Sequence, residues 1–240
     1  GQFRSAVQAM IPPLEIETGP HPRGAVIWLH GLGADGHDFA PIVPQLGIPP
    51  SLPVRFVFPH APEMPVSINR GYVMPAWYDI SHPDLAAGED EAGIRASQKS
   101  IVELIEREKQ RGIPAARIVL AGFSQGGAIA LHTALRYTEA LAGILALSTY
   151  LPLKAALPAE AAAANRSCAI FMAHGRMDNV IPMSRGAQSR DFLRDCGYAP
   201  EWHEYAMAHS VCDEEIADIG GWLRRVLSAT TQDSGLSTGR

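Results

Sequence analysis

The stretch that most limits what this chain can fold into is Gly122-Phe123-Ser124-Gln125-Gly126-Gly127. The apolar run Ile118-Val119-Leu120-Ala121 leads into it, short and unpatterned, as a strand buried on both faces should be. Residues Ala128 to Leu135 lead out, rich in helix formers and free of breakers. A serine between the two must turn sharply, and a glycine two residues to either side leaves room for the turn. This Gly-x-Ser-x-Gly arrangement is the pattern of a nucleophile elbow, in which a serine hydroxyl projects from a strand-to-helix corner. The bland alternative is an ordinary βα turn, because Gly and Ser are common loop residues. The flanking strand and helix favour the elbow.

The rest of the chain alternates around that corner. Leu14 to Thr18 reads as a half-exposed edge strand, and Ala25 to Leu29 as a buried strand ending at His30-Gly31-Leu32-Gly33. Val54 to Phe58 is a third strand. Residues 60 to 90 lack periodicity yet are too apolar for disorder, so they read as a long loop lining a pocket. A helix is predicted over Glu91 to Arg111, with Ile94, Ile101, Leu104 and Ile105 on one face. Strands follow at Gly143 to Ser148, Cys168 to Ala173 and Glu201 to Tyr205, with helices at Ser184 to Cys196 and Asp213 to Leu227. Residues 1–229 read as one domain, and the polar stretch 230–240 as a disordered tail.

Strand and helix alternating in this way argue for an α/β fold, a mostly parallel central sheet with helices on both faces. In such sheets reactive groups gather beyond the carboxyl ends of the strands. Four loops take that position, carrying His30-Gly31, Ser124, Asp178 and His209.

A serine hydroxyl is a poor nucleophile until a base takes its proton, and the base needs an acid to hold one tautomer. Asp178 and His209 follow Ser124 in the order Ser, Asp, His, which is that of hydrolases built on such sheets. Asp178 could instead be a turn residue and His209 a solvated loop histidine. His203 lies in an alternating strand, and His30 and His174 each open a His-Gly pair where a structural hydrogen bond is expected, which leaves His209 as the base. An oxyanion would need two N–H donors. The Gln125 amide is the first choice and the Leu32 amide the second. Apolar residues between 64 and 80, Tyr72, Met74 and Trp77 among them, suggest an acyl-binding groove.

Composition removes other classes. A net charge of −5 without a basic stretch leaves nucleic acid and anionic membranes no electrostatic footprint. Three widely spaced cysteines make neither a disulfide framework nor a zinc site, which fits a reducing, cytoplasmic setting. Gly1-Gln2-Phe3-Arg4 does not begin a secretory leader, and no apolar run is long enough to insert stably in a bilayer. Oligomeric state stays open, a homodimer included.

Five motifs occur in order: His30-Gly31-Leu32-Gly33, Met74-Pro75-Ala76-Trp77-Tyr78-Asp79, Gly122 to Gly127, His174-Gly175-x-x-Asp178-x-x-Ile181-Pro182 and His209-Ser210-Val211. Together they resemble the phospholipase/carboxylesterase family of α/β-hydrolases, which includes acyl-protein thioesterases, over about residues 14 to 227. The resemblance implies Ser124 as nucleophile, Asp178 as orienting acid, His209 as general base, and the Leu32 and Gln125 amides as oxyanion hole. It also implies Trp77 beside the substrate groove and no metal or organic cofactor. Ala208 stands where family members usually have Gly, which would strain the backbone if φ there were positive. The leading expectation is a serine carboxylesterase acting on a small-molecule or lipid acyl ester. The alternative is an acyl-protein thioesterase or lysophospholipase working on long-chain S-acyl or lysolipid substrates. A silent binding module, a serine peptidase and an acyltransferase are the rivals outside that pair.

Overall fold

The computed structural model describes residues 11–228. The chain's first residues and the tail at 230–240 lie outside them. The elements run β1 (Leu14–Glu17), β2 (Gly24–Leu29), β3 (Val54–Phe58), β4 (Glu63–Val66), β5 (Tyr72–Pro75), α1 (Glu91–Gln110), β6 (Ile118–Phe123) and α2 (Gln125–Ala134). They continue with β7 (Gly143–Leu147), a one-turn α3 (Leu157–Glu160), β8 (Ile170–Gly175), α4 (Met183–Asp195), β9 (Glu201–Tyr205) and α5 (Asp213–Ser228).

Seven strands form one sheet in the order β1-β3-β2-β6-β7-β8-β9. Only the edge strand β1 pairs antiparallel, with Leu14 opposite Phe58; every other neighbour is parallel. Strand β6 sits at the centre, paired with β2 through Trp28–Ala121 and with β7 through Ala121–Leu145. Its residues Ile118 to Ala121 are fully buried because helices cover both faces. Successive strand residues point to opposite faces. Ile27, Leu29 and Leu120 therefore pack with Ile94 and Ile101 of α1, Ala128 to Leu131 of α2 and Leu193 of α4. Val26, Trp28, Val119 and Ala121 pack against Ile219, Trp222 and Leu223 of α5. Their hydrophobic burial, about 25 cal/mol per Å² of apolar surface, holds the layers together. This is the α/β-hydrolase architecture.

The expected loop over residues 60 to 90 requires correction, for it contains the antiparallel hairpin β4–β5, with Met64 opposite Met74. The hairpin stands apart from the main sheet, so neither of its faces is fully buried and no alternation marks it in the sequence. Left-handed Arg70 and Gly71 close its turn, at φ 58° and 75°. Strand β8 starts two residues later than expected, because the Cys168 amide closes a turn onto the Asn165 carbonyl. No helix among the described residues is long and apolar enough to cross a membrane.

Candidate active site

Strand β6 gives way to α2 at Ser124, whose φ of 56° and ψ of −121° lie in a region that side chains rarely adopt. Such strain costs about 1–3 kcal/mol and persists only where the surroundings hold it. Here the Ser124 amide donates to the Leu147 carbonyl at 2.8 Å, and its carbonyl accepts from Thr149 Oγ1 at 2.6 Å. The flanking glycines are obligatory for steric reasons. A Cβ on Gly122 would lie 2.2 Å from the Gly126 carbonyl oxygen, and one on Gly126 would lie 2.4 Å from the carbonyl oxygens of Leu29 and His30.

The three loop residues expected to act together do meet. His209 Nε2 lies 3.0 Å from Ser124 Oγ, and His209 Nδ1 lies 2.7 Å from Asp178 Oδ2. Asp178 Oδ1 accepts the amides of Val180 and Ile181, each at 2.9 Å, which fixes the carboxylate plane. A carboxylate accepts, so Nδ1 carries the imidazole proton and the Nε2 lone pair faces the serine hydroxyl. Phe123 packs beneath the imidazole with ring centroids 4.7 Å apart. Ala208 is not among the residues with positive φ, so the substitution of the usual Gly brings no left-handed strain to this loop.

The other histidines take the structural places expected of them. His30 Nδ1 donates to the Gly31 carbonyl and Nε2 accepts the Ala61 amide. Buried His174 has a lowered pKa, mainly through desolvation, and donates Nε2–H to the Ile181 carbonyl at 2.7 Å. Its neutrality keeps a second positive charge away from Asp178. His203 stacks on Phe171 at 4.3 Å.

Leu32 and Gln125 border the same cleft as Ser124 and His209. Neither backbone N–H has an acceptor among the described residues. The Gln125 side chain, a role not read from the sequence, welds the site together. Its Oε1 accepts the Trp77 amide at 2.8 Å and its Nε2 donates to the Tyr78 carbonyl at 2.7 Å.

The substrate groove requires correction. The cleft, about 490 Å³, is lined by Leu32, Ile68, Tyr78, Ile80, Leu85, Tyr150 and Ile181, and not by Trp77, Met74 or Tyr72. Trp77 is buried behind it, its indole N–H on the His30 carbonyl at 2.8 Å and its backbone carbonyl accepting from Ser97 Oγ. Tyr72 stands 71% exposed on the hairpin, and Met74 Sδ receives the Asn69 amide at 3.5 Å. An indole has both an apolar body and a donor to satisfy, and the buried His30 carbonyl satisfies it. Tyr150 follows β7 beyond the carboxyl end of the sheet, where the other site loops lie, but no motif in the sequence marks it. Among the described residues, no three His, Cys, Asp or Glu side chains come together to hold a metal ion.

The fold and this constellation define a serine hydrolase. A family model described as phospholipase/carboxylesterase matches residues 14–227. The chain belongs to that family. It is 42% identical over 232 residues to an acyl-protein thioesterase 1 of Neurospora crassa, covering 93% of this chain and 95% of the relative. An acyl-protein thioesterase 1 of Cryptococcus neoformans is 39% identical over 235 residues, covering 90% and 96%. Among solved structures, Arabidopsis thaliana SOBER1 superposes with a TM-score of 0.81 at 30% identity, over 85% of this chain and 99% of that one. The Zea mays acyl-protein thioesterase 2 superposes with a TM-score of 0.78 at 26% identity, over 89% and 99%.

Proposed function

We propose that this chain hydrolyses S-acyl thioesters of long acyl chains, as an acyl-protein thioesterase, through an acyl-enzyme on Ser124. The observation that carries the reading is the pairing of the Ser124–His209–Asp178 hydrogen-bond chain with an apolar cleft of about 490 Å³. That size and lining suit an extended apolar ligand. The general carboxylesterase, the leading expectation from sequence, takes second place because the near full-length relatives are named acyl-protein thioesterases.

In the proposed reaction His209 Nε2 takes the Ser124 proton as Oγ attacks the acyl carbonyl. The negative oxygen of the tetrahedral intermediate is met by the Leu32 and Gln125 N–H groups. One such donor contributes about 2.7–4 kcal/mol to the transition state. As the intermediate collapses, the sulfur leaves with the proton from His209. Water, deprotonated by the same nitrogen, then releases the acid and restores Ser124. Asp178 holds the tautomer and stabilises the imidazolium.

The test is hydrolysis of an S-palmitoyl peptide beside p-nitrophenyl esters from acetate to palmitate, with Ser124→Ala as the blank. Ser124-dependent release from the thioester, with a kcat/KM above that on the acetate ester, is the expected result. Turnover confined to short esters would return the reading to a small-ester carboxylesterase. No Ser124-dependent turnover on any substrate would remove the catalytic assignment.

A further inference from the structure

Asp178 lies in the short connection between β8 and α4, and that connection folds round one buried imidazole. His174, the last residue but one of β8, is fully buried. Its Nε2–H donates to the Ile181 carbonyl at 2.7 Å, and the same nitrogen lies 3.4 Å from Asp178 Oδ2. Two histidines therefore converge on the carboxylate, His209 directly at 2.7 Å and His174 from within the turn. A residue that only filled space would need no donor, since burying a polar ring is costly unless it is used.

The contacts form one chain. His174 holds the Ile181 carbonyl, the Ile181 amide donates to Asp178 Oδ1 at 2.9 Å, Asp178 Oδ2 holds His209, and His209 faces Ser124 at 3.0 Å. Residue 181 is thus gripped by both of its backbone polar groups. Pro182 follows, and the Arg185 amide takes the Pro182 carbonyl, which leaves the Ile181 carbonyl to His174. The imidazole itself has little freedom. A Cβ on Gly186 of α4 would lie 2.5 Å from its Nδ1, so the helix backbone packs directly on the ring. Trp202 of β9 stacks beside it, with centroids 6.2 Å and planes 24° apart. Burial lowers its pKa, so the ring is neutral at pH 7 and offers its one N–H to the turn.

We propose that His174 is a positioning residue for the reaction: by pinning the Ile181 carbonyl it keeps the Ile181 amide on Asp178 and the carboxylate aimed at His209. The inference rests on the reading of Ser124, His209 and Asp178 as the catalytic groups. Without that donor the Ile181 carbonyl, in a residue only 5% exposed, has to turn towards another partner, and the amide of the same residue turns with it. Asp178 Oδ1 then loses one of its two backbone donors, and the carboxylate is free to rotate off His209 Nδ1. A misplacement of about 1 Å can cost about 100-fold in rate. Ile181 also borders the cleft, so a role confined to packing would show in substrate binding instead.

The experiment compares His174→Met, His174→Asn and His174→Gln on p-nitrophenyl acetate, with Ser124→Ala as the blank. Methionine fills the site without a donor. The amide nitrogen of asparagine falls where Nδ1 was, and that of glutamine reaches the place of Nε2. The expected result is a fall in kcat of about 10-fold to 100-fold in the Met and Asn variants, with KM within about threefold of wild type. The Gln variant should recover to within about threefold of wild-type kcat. Adding His174→Met to Asp178→Asn should cost less than about twofold more, because the group through which His174 acts is already lost. If the Met variant does not fold, the Asn and Gln pair, both polar, decides the matter. Wild-type kcat in a folded Met or Asn variant overturns the inference, and so does a raised KM at unchanged kcat. An equal loss in the Asn and Gln variants, or an undiminished further loss on top of Asp178→Asn, also overturns it. All four leave the catalytic reading intact. Absence of Ser124-dependent turnover in the wild type overturns that reading and this inference with it.

Discussion

Replacing Gln125 by Met tests the claim that one side chain joins the elbow to the segment behind the cleft. Methionine matches glutamine in length and bulk but offers no amide. The Trp77 N–H and the Tyr78 carbonyl, now held at 2.8 and 2.7 Å, would both lose their partners. Trp77 and Tyr78 are 2% and 3% exposed, so bulk water cannot replace them. A buried polar group left unmet costs about 1–3 kcal/mol, which makes about 2–6 kcal/mol for the two. In a chain of this size that corresponds to a fall in Tm of about 4–24 °C. The backbone N–H of residue 125 survives the change, so the oxyanion donor is retained. Turnover of a short ester well below Tm should therefore fall by much less than the 10²–10³-fold typical of a lost donor. Thermal and urea unfolding together with p-nitrophenyl acetate hydrolysis make the measurement. A stability loss under about 1 kcal/mol, or a 10³-fold loss of rate in fully folded protein, would refute the reasoning.

Two further predictions follow from the same geometry. Trp77→Phe removes the indole bond to the His30 carbonyl and should destabilise the fold by about 1–3 kcal/mol. Its acyl-chain-length profile should match that of the wild type; a shifted optimum would place residue 77 in the groove after all. Glu215, in the first turn of α5, has its carboxyl pushed up to about 8, chiefly by burial. An acid with a raised folded pKa contributes stability that is complete below the unfolded value, about 4.3, and is lost as pH rises through 8. Glu215→Gln can still accept the Cys212 amide. It should unfold at higher urea than the wild type at pH 8.5, and the gap should close at pH 4. An equal gap at both pH values would contradict the burial of that carboxyl.

The reacting residues were legible in the sequence because each lies just past a strand whose apolar run is plain. Ser124, Asp178 and His209 follow β6, β8 and β9, and a parallel sheet delivers the ends of its strands to one edge. The elbow was legible because the clash distances around Gly122 and Gly126 leave no residue but glycine there. The β4–β5 hairpin was not legible, since a hairpin outside the main sheet buries no face and leaves no period of two.

Local pattern by itself determined the alternating α/β order, the central strand and the three side chains that meet at its end, because periodicity and turn chemistry are written within a few residues. Only the tertiary structure decided which aromatic side chains face the cleft. Trp77 and Tyr78 are neighbours of similar character, yet the first turns to the His30 carbonyl and the second to the Tyr150 hydroxyl. The partners that separate them lie 47 and 72 positions away in the chain. A choice made by partners so distant leaves no trace in the local pattern, and packing alone makes it.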